Sequence, residues 1–218
     1  MKNILYGIIG AGGCGRSIMP LARQQLLASG ENTNRLVFVD DALVGNIIND
    51  QRVFSHSQFL EESATSRFAL IAIANGKARE RLAKLCAKDG VSPWNVSASN
   101  VVIMDGVSIG EGAALSPFVT LTSNIVIGRH FHANLYSYVE HDCVIGDYVT
   151  FAPGVHCNGN VHIEDHVYIG SGAVIKQGRS DVPLVIGRGA VVGMGAVVTK
   201  SVSPGATVVG NPARPINI

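Results

Sequence analysis

Residues 145–175 read IGDYVT FAPGVH CNGNVH IEDHVY IGSGAV I, and an apolar residue opens every block of six. The same phase runs back to Ile103 through Ile109, Leu115, Leu121, Ile127, Ala133 and Val139, giving thirteen anchors up to Ile175. A helix repeats every 3.6 residues and a strand every 2, so neither alone produces this period. Short strands joined by turns do, if three blocks close one triangular coil. Each anchor then stacks on the residue 18 positions away, and each coil buries its neighbour. Buried aliphatic anchors contribute roughly 1.5 to 3 kcal/mol each. The expected fold over this half is therefore a parallel β-helix of a little over four coils. Phase breaks between Ile175 and Ile186, a step of 11 where 12 would keep it. The stretch KQGRSDVPLV (176–185) is thus expected to leave the prism.

Before residue 100 the pattern is different. ILYGIIG (4–10) reads as a buried strand, GAGGCGR (10–16) as a turn and SIMPLARQQLLAS (17–29) as a helix. RLVFVDD (35–41) and FALIAIA (68–74) read as further strands, and KARERLAKLCAKDG (77–90) as a helix ending at Gly90. The expectation is a small parallel α/β sheet of Rossmann-like type over residues 1–97, followed by the β-helix over 98–218.

Composition narrows the function. The 218 residues are 47% hydrophobic and 15% charged with a formal net charge of +1, and Lys and Arg form no runs. A nucleic-acid surface is not expected, and small-molecule chemistry is. Cys14, Cys86, Cys143 and Cys157 form no C-x-x-C pair, which points to free thiols and a reducing cytoplasm. No apolar stretch reaches the roughly 18 residues of a membrane span.

Two motifs carry chemistry. In VEHDCV (139–144), the first and fifth residues point inward, which leaves His141 and Asp142 on a corner where packing does not need them. A histidine of ordinary pKa can take a proton at neutral pH, and an adjacent carboxylate can orient its ring. The second motif is G-x-G-x-x-G over Gly10–Gly15, after a strand and before a helix, where glycines let backbone approach a phosphate.

The hexads, together with IGSGAVI and the ending GAVVTKSVSPGATVVGNPARPI, resemble the left-handed β-helix hexapeptide acyltransferases. With GAGGCGR and FVDD included, the chain is similar to bacterial nucleotide-amino-sugar N-acetyltransferases of the bacillosamine type and to sialic acid O-acetyltransferases. The left hand follows from that resemblance, because parallel crossovers in general favour the right.

The resemblance implies acetyl transfer from acetyl-CoA to the amino group of a nucleotide-linked amino-deoxy sugar by a homotrimer, with no covalent intermediate. His141 would be the base, Asp142 its orienting acid and Asn134 a support for the acceptor. Gly159 would donate its N–H to the thioester carbonyl. Thr150, Ser171, Gly172, Gly193 and Met194 would face the pantetheine arm between subunits, and Lys200 or Arg214 its phosphates. In the N-terminal half, Gly12, Gly13 and Cys14 would lie near the nucleotide phosphates, Asp40 and Asp41 near the base or ribose, and Asn75 at the third strand's end. Related enzymes often carry His where Cys14 stands and G-N-N where this chain has Ala74, Asn75 and Gly76. O-acetylation of a sialic-type sugar, or a non-catalytic sugar-nucleotide scaffold, are the alternatives.

His130, His132, His156, His162 and His166 are read as solvated or subunit-contact residues. The related gamma carbonic anhydrases bind zinc with two histidines five residues apart, a spacing absent among these five. No metal is expected.

Overall fold

The computed structural model describes residues 3–216. Strand β1 (Ile4–Ile9) is the centre of the N-terminal sheet, flanked by β2 (Leu36–Val39) and β5 (Ser66–Ile71), all parallel. Strand β4 (Gln51–Phe54) extends one side and β6 (Ser92–Pro93) the other. The edge strand β3 (Ile47–Ile48) runs antiparallel to β4, through a turn at Asn49 and Asp50 in which both residues are left-handed. Helix α1 (Gly13–Ala28) covers one face of this sheet. Helices α2 (His56–Glu61) and α3 (Gly76–Lys88) cover the other.

The chain enters the second domain earlier than its hexads suggest. Val96–Ser97 already pairs with Ala114–Leu115, so the strand ladder of the β-helix begins two residues before residue 98. From there a left-handed parallel β-helix winds with three flat faces. The first face carries strands from Val96–Ser97 to Thr207–Val209, the second from Val102–Ile103 to Val197–Val198, and the third from Ser108–Ile109 to Leu184–Ile186. Partners lie 18 residues apart, as in Ala114↔His132 and Val126↔Val144. The anchors form one buried column, apart from Ile103, which is exposed, and Ile109, which is half-buried, because no coil precedes either on its face. An antiparallel strand, Arg214–Ile216, pairs with Thr207–Val209 and covers the last edge of the first face.

Every corner from Gly106 to Gly172 is built alike. The fourth residue of each hexad is left-handed, whether it is Gly106, Phe118, Asn124, His130, Tyr136, Asp142, Tyr148 or His166. A positive φ turns the chain sharply enough to begin the next face.

The expected break in phase has a different form. Ile163 pairs with Ile186 and Val174 with Val197, steps of 23 where 18 is the rule. One corner has therefore gained five residues, and the strands on both sides keep their register. Because the next anchor after Ile175 was due six residues later, the step of 11 is a five-residue insertion, not the loss of one residue.

The two domains share a polar joint on the first face. Arg79 of α3 is fully buried and donates Nε to the His130 carbonyl at 2.9 Å and Nη2 to the Tyr148 carbonyl at 2.8 Å. Its Nη1 donates to the Ile73 and Ala74 carbonyls at 2.6 and 3.1 Å. Burial lowers its pKa to about 10. This docking buries His130 and His132, which the sequence suggested were solvated or at a subunit contact. Burial pushes the His130 pKa down to about 4 and that of His132 well below the usual range.

Candidate active site

Three corners run the length of the prism. The corner between the second and third faces carries residues 140–143, 158–160, the insertion after Lys176, and 199–201. His141 and Asp142 project from it. The His141 Nδ1 lies 2.8 Å from Asp142 Oδ2, and its side chain is 44% exposed. An ionised carboxylate only accepts, so Nδ1 holds the proton and the Nε2 lone pair is free. The bond to Asp142 raises the His141 pKa above 6.5 and lowers that of Asp142.

Gly159 is one coil above. A Cβ built there would lie 2.6 Å from both Cε1 and Nε2 of His141, so the imidazole rests on bare backbone. Among the described residues the Gly159 N–H has no acceptor, which leaves it free to donate. Above it stands Gly178, whose N–H donates to the Gly159 carbonyl at 3.0 Å and whose own Cβ would strike the Asn160 carbonyl oxygen. Sequence reading missed Gly178 because it lies in the insertion, outside the hexad frame.

Higher on the same corner the surface becomes basic. A cleft of about 290 Å³ lies between the insertion and the next coil, lined among others by Lys176, Arg179 and Lys200. A neighbouring cleft of about 350 Å³ is lined by Lys200 and Arg214 together. His141, Gly159, Gly178 and Lys200 thus succeed one another over three coils, about 14 Å at the spacing of adjacent strands. A narrow glycine track leading to cations suits an extended thioester whose far end carries phosphates.

Other expected residues stand elsewhere. Asn134 lies at the far end of strand Tyr138–Val139 from His141, and its Nδ2 donates to the Phe151 carbonyl at 2.7 Å. That bond ties one coil to the next, so the structure does not join Asn134 to the dyad. Thr150 is buried in the domain joint, where its hydroxyl donates to the Ala74 carbonyl at 2.9 Å and accepts from Arg79. It is a structural residue on the edge of a cleft of about 420 Å³, and is not free to face a ligand with its hydroxyl. Ser171, Gly172, Gly193 and Met194 lie on the corner between the first and second faces, with Met194 fully open to solvent at 82% exposure. Cys143 and Cys157 are buried free thiols inside the prism.

In the N-terminal domain Gly10 is left-handed and Gly15 has no room for a side chain, since its Cβ would overlap the Gly10 carbonyl. Gly12 and Gly13 differ, because a Cβ on either would meet open space and Gly12 has an ordinary negative φ. Nothing within the chain explains glycine at those two positions. Cys14 follows them, partly buried. Asp40 braces the loop, its Oδ2 accepting from the Ala11 N–H at 2.9 Å, and Asp41 accepts from the His56 N–H at 2.8 Å. Both line a cleft of about 190 Å³ at the carboxyl ends of β1 and β2, with Ile73, Leu82 and Leu85 as its apolar wall. Asn75 is the N-cap of α3, accepting from the Ala78 N–H at 2.9 Å. Among the described residues no cluster of three or more His, Cys, Asp or Glu is placed to hold a metal. No helix of the described residues is long and apolar enough to cross a membrane.

Comparison with protein families matches residues 7–85 to the PglD N-terminal domain and residues 160–200 to the hexapeptide repeat of succinyl-transferase. Over 210 residues the chain is 54% identical to a GDP-perosamine N-acetyltransferase from Escherichia coli O157:H7, covering 96% of this chain and 95% of that one. The chain belongs to the hexapeptide-repeat sugar N-acetyltransferases. Among solved structures this acetyltransferase is similar to WeeI from Acinetobacter baumannii AYE, with a TM-score of 0.95 and 57% identity over 98% of this chain and all of that one. It is also similar to the acetyltransferase domain of PglB from Neisseria gonorrhoeae FA1090, in complex with acetyl coenzyme A. There the TM-score is 0.86 at 27% identity, over 99% of this chain and 100% of that one. The enzyme is an acetyl-CoA-dependent sugar N-acetyltransferase, so transfer to an amino group stands in place of O-acetylation or a scaffold role.

Proposed function

We propose that the acceptor is a GDP-linked amino sugar such as GDP-perosamine and that His141 is the general base. The observation that carries the base assignment is the His141–Asp142 pair, with Nε2 open and the ring seated on Gly159. The 54% identity to a GDP-perosamine N-acetyltransferase supports the acceptor. In this reading the amine nitrogen attacks the thioester carbonyl carbon, and Nε2 of His141 takes the proton that the nitrogen sheds. Negative charge then gathers on the carbonyl oxygen, where the Gly159 N–H is available to donate. The C–S bond breaks, coenzyme A leaves as thiolate or thiol, and the amide remains.

The arm of acetyl-CoA would follow His141, Gly159 and Gly178 upward, with its phosphates among Lys176, Lys200 and Arg214. Gly12, Gly13, Cys14, Asp40 and Asp41 would hold the nucleotide, the apolar wall of their cleft suiting a base. A homotrimer fits the separation of the two expected ligand sets. Ser171, Gly172, Gly193 and Met194 lie one corner away from His141, across a face that six residues span with at most about 20 Å. Both sets can line one coenzyme if they come from two copies. The four free cysteines support a reducing, cytoplasmic setting.

The test supplies the purified protein with acetyl-CoA and GDP-, UDP- or dTDP-linked amino sugars and follows thiol release and product mass. Preference for the GDP-linked sugar with an N-acetyl product is expected. Equal turnover of all three would overturn the nucleotide assignment.

A further inference from the structure

Asp142 has a second partner that the dyad alone does not explain. Asn124 stands one coil below it on the same corner, and both are left-handed, with φ 59 and 57. The Asn124 Nδ2 donates to Asp142 Oδ1 at 3.3 Å while Asp142 Oδ2 receives His141 Nδ1 at 2.8 Å. The two carboxylate oxygens are thus divided between two neighbours. Beneath Asn124 lies Gly106, where a Cβ would come within 2.8 Å of the Asn124 Oδ1. Bare backbone at Gly106 leaves the amide its seat, oxygen end down and nitrogen end toward the carboxylate. An ionised carboxylate offers no donor, so only the nitrogen can face it.

The arrangement answers a physical need. The Asp142 side chain is 49% exposed on a corner, where water competes for both oxygens and several rotamers are open. Holding one oxygen restricts that freedom before the reaction begins.

We propose that Asn124 is a positioning residue for the acetyl transfer. It fixes the Asp142 carboxylate so that the other oxygen stays on His141 Nδ1 and Nε2 stays directed outward. The proposal rests on His141 being the base.

Asn124→Gly is the variant that tests it, because glycine already takes the same corner conformation at Gly106 and Gly112. Activity is measured with acetyl-CoA and GDP-perosamine, alongside the thermal midpoint. The turnover number should fall about threefold to tenfold, the range one ordinary hydrogen bond supports, with both KM values unchanged. The acid limb of the pH–rate profile should move down toward that of Asp142→Asn, because a loosened carboxylate spends less time on the imidazole. In an Asp142→Asn background the same change should cost nothing further. Wild-type turnover, an unmoved limb, or a full multiplicative loss in the double variant would each overturn the proposal. His141→Ala separates the two readings. If it is inactive while Asn124→Gly behaves as wild type, only the positioning role fails; if it is fully active, the base assignment fails first.

Discussion

The imidazole of His141 and the backbone of Gly159 occupy the same small volume from adjacent coils, with a Cβ at Gly159 falling 2.6 Å from Nε2. Gly159 is not left-handed, so alanine fits its backbone and differs only by this methyl. The ring would have to swing away. Gly159→Ala should therefore lower turnover by about 10² or more, the scale of a lost general base, while the thermal midpoint barely moves. A variant with wild-type turnover would show that the seat is irrelevant to the reaction.

His141→Ala should lower turnover by about 10² to 10⁴ with little change in stability, since the side chain lies outside the packed column. The pH dependence has a definite sign. If His141 is the neutral base, the upward shift of its pKa by Asp142 places the acid limb of kcat/KM above the ordinary histidine value of 6.5. Asp142→Asn removes the charge and should shift the limb down, with a lower plateau. A pH–rate series for both proteins checks the direction.

Lys200 and Arg214 line one cleft at the upper end of the glycine track. If phosphates bind there, Lys200→Ala and Arg214→Ala should raise the acetyl-CoA KM and leave the sugar-nucleotide KM unchanged, as for a ground-state contact remote from the chemistry. The weakening should also diminish at high salt, where the wild-type contact is itself screened. Calorimetry with coenzyme A at two ionic strengths reads both effects.

Acid should loosen the domain joint. The folded pKa of His130 is depressed to about 4, below its ordinary 6.5. Its contribution to stability is thus complete above pH 6.5 and is lost as pH falls toward 4, because the unfolded chain takes up the proton first. His130→Phe keeps a flat ring against Tyr148, whose stack with His130 has centroids 5.1 Å apart, and removes the titration. Thermal midpoints from pH 7 to pH 4 should fall less steeply in that variant. Parallel slopes would contradict the assignment.

Arg79→Met leaves the carbonyls of Ile73, His130 and Tyr148 without their buried donor, while that of Ala74 keeps the Thr150 hydroxyl. Unpaired buried acceptors cost about 1 to 3 kcal/mol each, so the midpoint should drop by several degrees or more. Differential scanning calorimetry gives the value, and an unchanged midpoint would show that water replaces the guanidinium.

The prism could be read from sequence because its anchors repeat along the chain, and period is a local property. His141 and Asp142 stood out for the same reason, as a charged pair where the repeat needed none. Arg79 was silent in the sequence: it looks like any helix arginine, and only the docking of α3 on the first face buries it. Burial of His130 and His132 follows from that docking and was equally invisible. Asn134 as a support for the acceptor and Asn75 at the nucleotide site came from a resemblance; the Asn134 Nδ2 donates to the Phe151 carbonyl and the Asn75 Oδ1 accepts from the Ala78 N–H, partners that the repeat does not announce. Gly178 could have been found by asking which residue restores stacking above Gly159 once five residues are inserted.

The insertion after Lys176 alters a corner while Ile163↔Ile186 and Val174↔Val197 keep their pairing on either side. Rim and column are thus mechanically independent. Lengthening such a loop costs only about 0.6 kcal/mol per doubling, whereas a slipped strand would turn its anchors outward. The wall above Gly159 can therefore vary in length and charge among enzymes of this architecture without touching the column, so donor selectivity and thermal stability can evolve on separate residues.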